Sequence, residues 1–166
     1  MIRLTSPHDK ATKGNKTISK NRKAFHDYFI EETFEAGIEL TGTEVRSLRE
    51  GSGQLTDTFV LVRNGELWLL GLHIKAYSHG NRANVDPDRR RRLLMHKKQI
   101  RYLGEKVQQA GLALIPLSLY FSDKGLVKVE LALAHGKKNY DKRHTMAARD
   151  SKREIDRALK ERSRED

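Results

Sequence analysis

Between Phe34 and Leu40 the chain alternates. Phe34, Ala36, Ile38 and Leu40 fall on one side and Glu35, Gly37 and Glu39 on the other, the period of a half-buried strand. The stretch "GTEVRSLREG" that follows predicts a two-turn helix with Thr43 as its N-cap and Gly51 just past its end. In "TFVLVRNGELWLLGL", Asn64-Gly65 separates two apolar runs, and Asn-Gly suits the positive φ values of a type I′ turn, so a hairpin is expected. A second hairpin is read downstream. Ile115, Leu117, Leu119 and Phe121 are placed on one strand face, "SDKG" turns the chain, and Val127, Val129, Leu131 and Leu133 alternate with Lys128, Glu130, Ala132 and Ala134. Between the hairpins Leu93, His96, Ile100, Leu103, Val107 and Ala110 recur at spacings of three and four, predicting a helix stopped by Gly111. Short strands with one strong helix predict a small antiparallel barrel or sandwich with helices outside it.

Charge adds two arms to this picture. The 166 residues carry a formal net charge of +11. Residues 1–25 hold seven Lys/Arg against one acid, residues 136–166 eleven against seven, and the remaining 26–135 fifteen against fourteen. A nearly neutral body between basic ends points to polyanionic partners, nucleic acid before membrane. We therefore divide the chain into a flexible basic arm over 1–20, a folded domain over 21–135 and a basic tail over 136–166. There is no cysteine, which removes disulfides, thiolate zinc sites and thiol nucleophiles. The first 21 residues have no apolar core of a signal peptide and no later run approaches 18 apolar residues, so a soluble intracellular protein is expected, and a monomer is expected beside it.

Signs of catalysis are weak. The seven histidines fall in no metal-binding spacing, although His73 and His79 with a carboxylate would make a nuclease-like acid–base pair. "GSG" at Gly51–Gly53 is too short to cradle a phosphate, and no metal or cofactor is expected. The basic clusters say more. Arg89, Arg90, Arg91 and Arg92 stand in a row before the helix, and planar guanidinium groups grip phosphate oxygens in pairs. The alternative is a solvated edge partly paired with Asp86 and Asp88. Trp68, Tyr77 and Tyr120 offer faces for stacking bases, or serve as core and rim aromatics. In the tail only Ile155, Ala158 and Leu159 form an apolar stripe, and pairs such as Asp156–Lys160 have helical spacing. Such a segment has too little to bury to hold a helix by itself, so it is expected to be disordered when free and to order against a polyanion.

Five blocks then carry a resemblance: "NRKAFHDYFIEETFEAGIELTGTEVRSLREG", "NVDPDRRRRLLMHKKQI", "LIPLSLYF", "KVELALAHGKKNYDKR" and the charged tail, in order over roughly residues 21–160. The chain resembles the small protein B family, the SsrA-binding proteins that partner tmRNA in bacterial trans-translation. Met95 and Arg92 depart mildly from the family's usual residues. The resemblance implies a mainly β fold, an OB-like antiparallel barrel with flanking helices. It further implies a non-enzymatic adaptor in the cytoplasm that binds the tRNA-like domain of tmRNA and delivers it to stalled 70S ribosomes. Elongation factor Tu with GTP and alanyl-tRNA synthetase would act through the tmRNA. Family contacts map onto Glu35, Leu94 and His96, and Leu94 and His96 read equally well as core. Asn21, Arg22, Lys23, the four arginines and Lys97 complete the expected tmRNA surface. In the tail the resemblance implies that Gly136, Lys137, Lys138, Asp141, Lys142 and Arg143 reach the decoding centre, with Tyr140 stacking on a ribosomal base. Lys152, Arg153, Arg157 and Lys160 would meet phosphates in the mRNA channel. Two other readings remain open, a small nuclease and a general single-strand binder of OB type.

Overall fold

The computed structural model of the chain describes residues 16–137 and 139–165, with side chains placed through residue 137 and again over 147–160. Strand β1 (Lys16–Lys20) leads into helix α1 (Arg22–Asp27) and the long strand β2 (Tyr28–Ile38). Helix α2 (Gly42–Arg49) and the short β3 (Gly53–Gln54) precede the hairpin β4 (Phe59–Arg63) and β5 (Glu66–Leu70). Next come β6 (His73–Ile74), a 3-10 turn at Asn81–Ala83, β7 (Arg91–Leu94) and helix α3 (Lys97–Ala110). The second hairpin is β8 (Ala113–Phe121) with β9 (Val127–Gly136), and α4 (Asn139–Glu165) follows.

The main sheet runs β1-β8-β4-β5-β7-β2-β9, and β9 pairs back onto β8. Six strands therefore close into an antiparallel barrel, which leaves no long free edge. Strand β8 shares one edge between two partners, pairing with β4 at Leu114 and with β1 from Ser118 to Phe121. Alternation fills the interior with Ala36, Leu67, Leu69, Leu93, Val129, Leu131 and Leu133, and Ile100 and Leu103 of α3 join the same cluster. Each such leucine, removed from water, contributes about 1.5–3 kcal/mol. A second cluster lies under α1, where Ala24 meets Ile115, Leu117 and Ala132.

Both hairpins form at the positions read. Asn64 and Gly65 turn the first at φ 52° and 72°, the left-handed geometry that favours Asn-Gly. Gly111 ends α3 in the left-handed region.

Four expectations need correcting. Leu93 and His96 do not begin α3. Arg91–Leu94 is a strand held between β5 and β2, and His96 is only the residue before the first helical turn. Pairing on both edges overrides the helical spacing. The N-cap of α2 is Thr41, not Thr43. Its hydroxyl accepts from Glu44 N–H while the Glu44 carboxylate accepts from Thr41 N–H, a reciprocal capping box. The apolar residues of β8 do not share one face, because the register shifts between Pro116 and Ser118. This extra residue turns Ile115 and Leu117 toward α1, while Leu119 and Phe121 stay in the barrel. Residues 16–20, read as flexible arm, form β1 because Ile18 packs against the barrel core. The arm over 1–15 lies outside the described residues. The tail, read as a latent helix that orders against a polyanion, has helical backbone over Asn139–Glu165, and every described side chain from 147 to 160 is exposed.

Candidate nucleic-acid interface

The arginine run divides residue by residue. Arg91 is wholly buried, and its Nε donates to Glu44 Oε2 at 2.6 Å. Its Nη1 donates to the carbonyls of Leu72 (2.6 Å) and Arg89 (2.9 Å), and its Nη2 to that of Pro87 (3.0 Å). Arg89 Nε donates to the other Glu44 oxygen at 3.2 Å, with a second bond from Nη2. Burial by itself would raise the Glu44 carboxyl. The bonds from Arg89, Thr41 N–H and Arg91 outweigh it and hold the group below its ordinary value of 4.5. Arg92 is shared between Glu39 (2.8 Å) and Glu66 (3.2 Å) on the outer face. Only Arg90 stays clear of carboxylates among the described residues, with its guanidinium 5.1 Å from the centre of the Trp68 ring.

Arg91 is therefore withdrawn as a phosphate contact, since its donors are spent inside the fold. The partners of the run are Glu44, Glu39 and Glu66, not Asp86 and Asp88 as the alternative had it. Asn21 is withdrawn for a similar reason. It is buried, its Oδ1 caps α1 at Ala24 N–H, and its Nδ2 donates to Pro116 O at 3.0 Å. Arg22 and Lys23 are exposed on α1, and Lys23 reaches Asp57 at 3.3 Å.

Glu35 and Leu94 come together. Leu94 pairs across the sheet with Gly37, and a Cβ added to Gly37 would stand 3.3 Å from Leu94 Cβ. Glu35, two residues before Gly37, points to the same outer face. Leu94 is 49% exposed, so it is not core. His96 and Lys97 are also exposed, one turn beyond it at the start of α3. The Glu35 carboxylate accepts a hydrogen bond from Tyr120 Oη and lies 3.8 Å from Lys128 Nζ. Burial, then that bond to Glu35, pushes the Tyr120 phenol far above its ordinary value, so it remains a donor. Tyr120 is thus a buried support for Glu35 and not a free stacking face.

Lys128 belongs to this cluster and was passed over in sequence. The alternation of "LVKVELALA" already places it opposite the buried valines. Glu44 was missed too, although Thr41-x-x-Glu44 is a legible capping box.

His73 meets Asp88 at 2.7 Å, while His79 bonds Ser78 and packs against Tyr77. At the root of the tail, exposed Gly136 ends β9. Lys137 N–H donates to Asp27 O at 2.8 Å and its Nζ to Phe25 O at 3.2 Å, 4.7 Å from the Phe29 ring centre. Lys138 lies outside the described residues, as do the side chains of Tyr140, Asp141, Lys142 and Arg143. Lys152, Arg153, Arg157 and Lys160 are exposed along α4. No described helix is long and apolar enough to cross a membrane.

The family model described as SmpB protein matches residues 18–161. The chain belongs to the SmpB protein family. It is 59% identical over 152 residues to the SsrA-binding protein of Desulforamulus reducens, a match covering 92% of this chain and 94% of that relative. To the SsrA-binding protein of Geobacter sulfurreducens it is 57% identical over 151 residues, 91% of this chain and 98% of the other. A solved chain described as "tmRNA-SmpB: a journey to the center of the bacterial ribosome" superposes with a TM-score of 0.61 at 53% identity. That match covers 72% of this chain and 84% of the solved one.

Proposed function

We propose that the chain is an RNA-binding adaptor of trans-translation, which binds the tRNA-like domain of tmRNA and carries it to stalled ribosomes. Beyond family membership, one observation supports where it binds. Glu35 and Leu94, distant in sequence, meet on one outer face with His96 and Lys97 beside them. The patch offers an anionic acceptor, an apolar contact and cations together. That mixture suits folded RNA, which is read through 2′-hydroxyls, splayed bases and shape. Exposed Arg22, Lys23, Arg90 and, once released from its carboxylates, Arg92 supply phosphate contacts around it.

The tail takes the second task. Its start at Gly136-Lys137 enters the decoding centre, with Tyr140 and the Asp141-Lys142-Arg143 segment, and α4 lies in the vacant mRNA channel. Lys152, Arg153, Arg157 and Lys160 then face phosphates. Elongation factor Tu with GTP and alanyl-tRNA synthetase act on the tmRNA that the barrel holds, in the cytoplasm, without chemistry by this chain.

The test is filter binding to the tRNA-like domain against an unrelated hairpin of equal length. Strong preference for the former is expected, and equal affinity would sink the reading. Deleting residues 136–166 should leave that binding nearly intact and abolish tagging of stalled peptides. Loss of binding on truncation would contradict the division of labour.

A further inference from the structure

Cations open to an external polyanion also lie outside the arginine run. Among the described residues Arg46, Arg49, Lys75 and Arg82 form no ion pair. All four are exposed, and they sit on α2 and on the loop between β6 and β7. Two rings lie on the same loop. Arg46 Cζ is 6.0 Å from the centre of the Tyr77 ring, and the His79 ring packs against Tyr77 at 5.4 Å.

The loop that presents these groups is firmly built. The Asn84 side chain accepts from Tyr77 N–H at 3.1 Å and donates to Tyr77 O at 2.9 Å, closing the loop as a strand partner would. Gly80 N–H returns to Tyr77 O and Ala83 N–H to Gly80 O, and a side chain on Gly80 would collide with Asn84. Thr43 Oγ1 donates to Ala83 O at 3.2 Å, tying the loop to α2, and Ile74 N–H donates to Pro87 O at its base. Rings and cations held in this way need little ordering on binding. Residues 75–84 contain no large aliphatic side chain that a protein or lipid partner would bury. A tilted Tyr–His ring pair, with the Arg46 guanidinium beside it and Lys75 and Arg82 on the same loop, instead suits an unpaired nucleotide, with its base on the Tyr77 face and its flanking phosphates on the cations.

We infer that Tyr77 and His79, with Arg46, Arg49, Lys75 and Arg82, form a second RNA site that takes an unpaired base of ribosomal RNA. The assignment to the ribosome rests on the function proposed above. That reading puts tmRNA on the face around Glu35 and Leu94, and the loop joins β7 at the end away from Leu94. An adaptor that holds one RNA while docking on another needs two such faces.

The test uses the full chain bound to the tRNA-like domain and measures its affinity for vacant 70S ribosomes. The pair Arg46→Gln with Arg82→Gln should weaken that affinity and make its log–log salt slope shallower by about 1.4, two phosphates' worth on single strands. His79→Ala should cost at least about fivefold, and Tyr77→Ala more, with Tyr77→Phe retaining most of the affinity. For the double arginine variant and His79→Ala, the denaturation midpoint and the affinity for the tRNA-like domain alone should stay at wild-type values. Ultraviolet crosslinking on the ribosome should join peptide 75–84 to ribosomal RNA. Unchanged ribosome affinity in every variant would overturn the inference, as would equal losses on the tRNA-like domain or crosslinks only to protein. If the wild-type chain instead showed no preference for the tRNA-like domain, the tmRNA reading would be what failed. The ribosome measurements with these variants would still stand on their own.

Discussion

A guanidinium as deeply enclosed as that of Arg91 is stable only with its charge answered, and here one carboxylate and three carbonyls do so. Glu44 carries the burden, since it also answers Arg89 and caps α2. Glu44→Ala would leave a buried unpaired cation and should cost about 3–5 kcal/mol, read as the shift in a urea melt at neutral pH. The pH dependence has a definite sign. A carboxyl held below 4.5 in the folded state adds stability that is complete above that value and is lost as pH falls through the folded pKa. Wild type should therefore lose stability in acid more steeply than Glu44→Gln does. The network also separates folding from recognition: Glu44→Gln, measured on folded protein, should bind the tRNA-like domain as wild type does. A loss under about 1 kcal/mol for Glu44→Ala would show that the hub is not needed.

Elements differ in how much of their making is local. The β4–β5 hairpin was legible because Asn64-Gly65 fixes its turn from two adjacent residues. Helix α3 was legible from Ile100 onward but not at its start. "RRRRLLMH" has one short apolar run, and only pairing with Leu67 of β5 and Ile38 of β2 makes it a strand. The bulge at Leu117 left no signal in a run of alternating apolar residues, so two side chains were put on the wrong face. The same limit governed the site. Leu94 and Glu35 were legible as candidates only through the family resemblance, and their adjacency is a matter of register. Partners such as Glu44 for Arg91 are set by tertiary packing that spacing does not encode. Helix α4 over 147–160 is the opposite case, since what favours it there is local. With its described side chains from 147 to 160 exposed, it lacks tertiary packing there to hold it. Amide exchange over 147–160 in the free protein should approach unfolded rates while β8 and β9 stay protected, and ribosome binding should slow it. Protection of α4 in free protein equal to that of the sheet would refute this.

At the scale of the whole molecule, the folded body is nearly neutral because its cations and acids occur in almost equal number, and several arginines are spent on carboxylates inside it. Excess charge is left to the ends. Residues 136–166 alone carry eleven Lys/Arg, none of them needed to close the barrel. This division predicts two distinct salt behaviours. Binding to unstructured RNA, which is mainly counterion release, should draw on the arms, and each phosphate they neutralise adds about 0.7 to the log–log slope. Truncation at residue 136 should therefore flatten the salt dependence for a single-stranded homopolymer. The affinity for the tRNA-like domain, which we propose draws on the shape and contacts of the Glu35–Leu94 face, should change little at fixed salt. Titrations of full-length and truncated protein against both RNAs at several salt concentrations decide the matter. If truncation lowered both affinities and both slopes in parallel, the barrel would be a passive carrier of a basic tail, and recognition would not reside in its outer face.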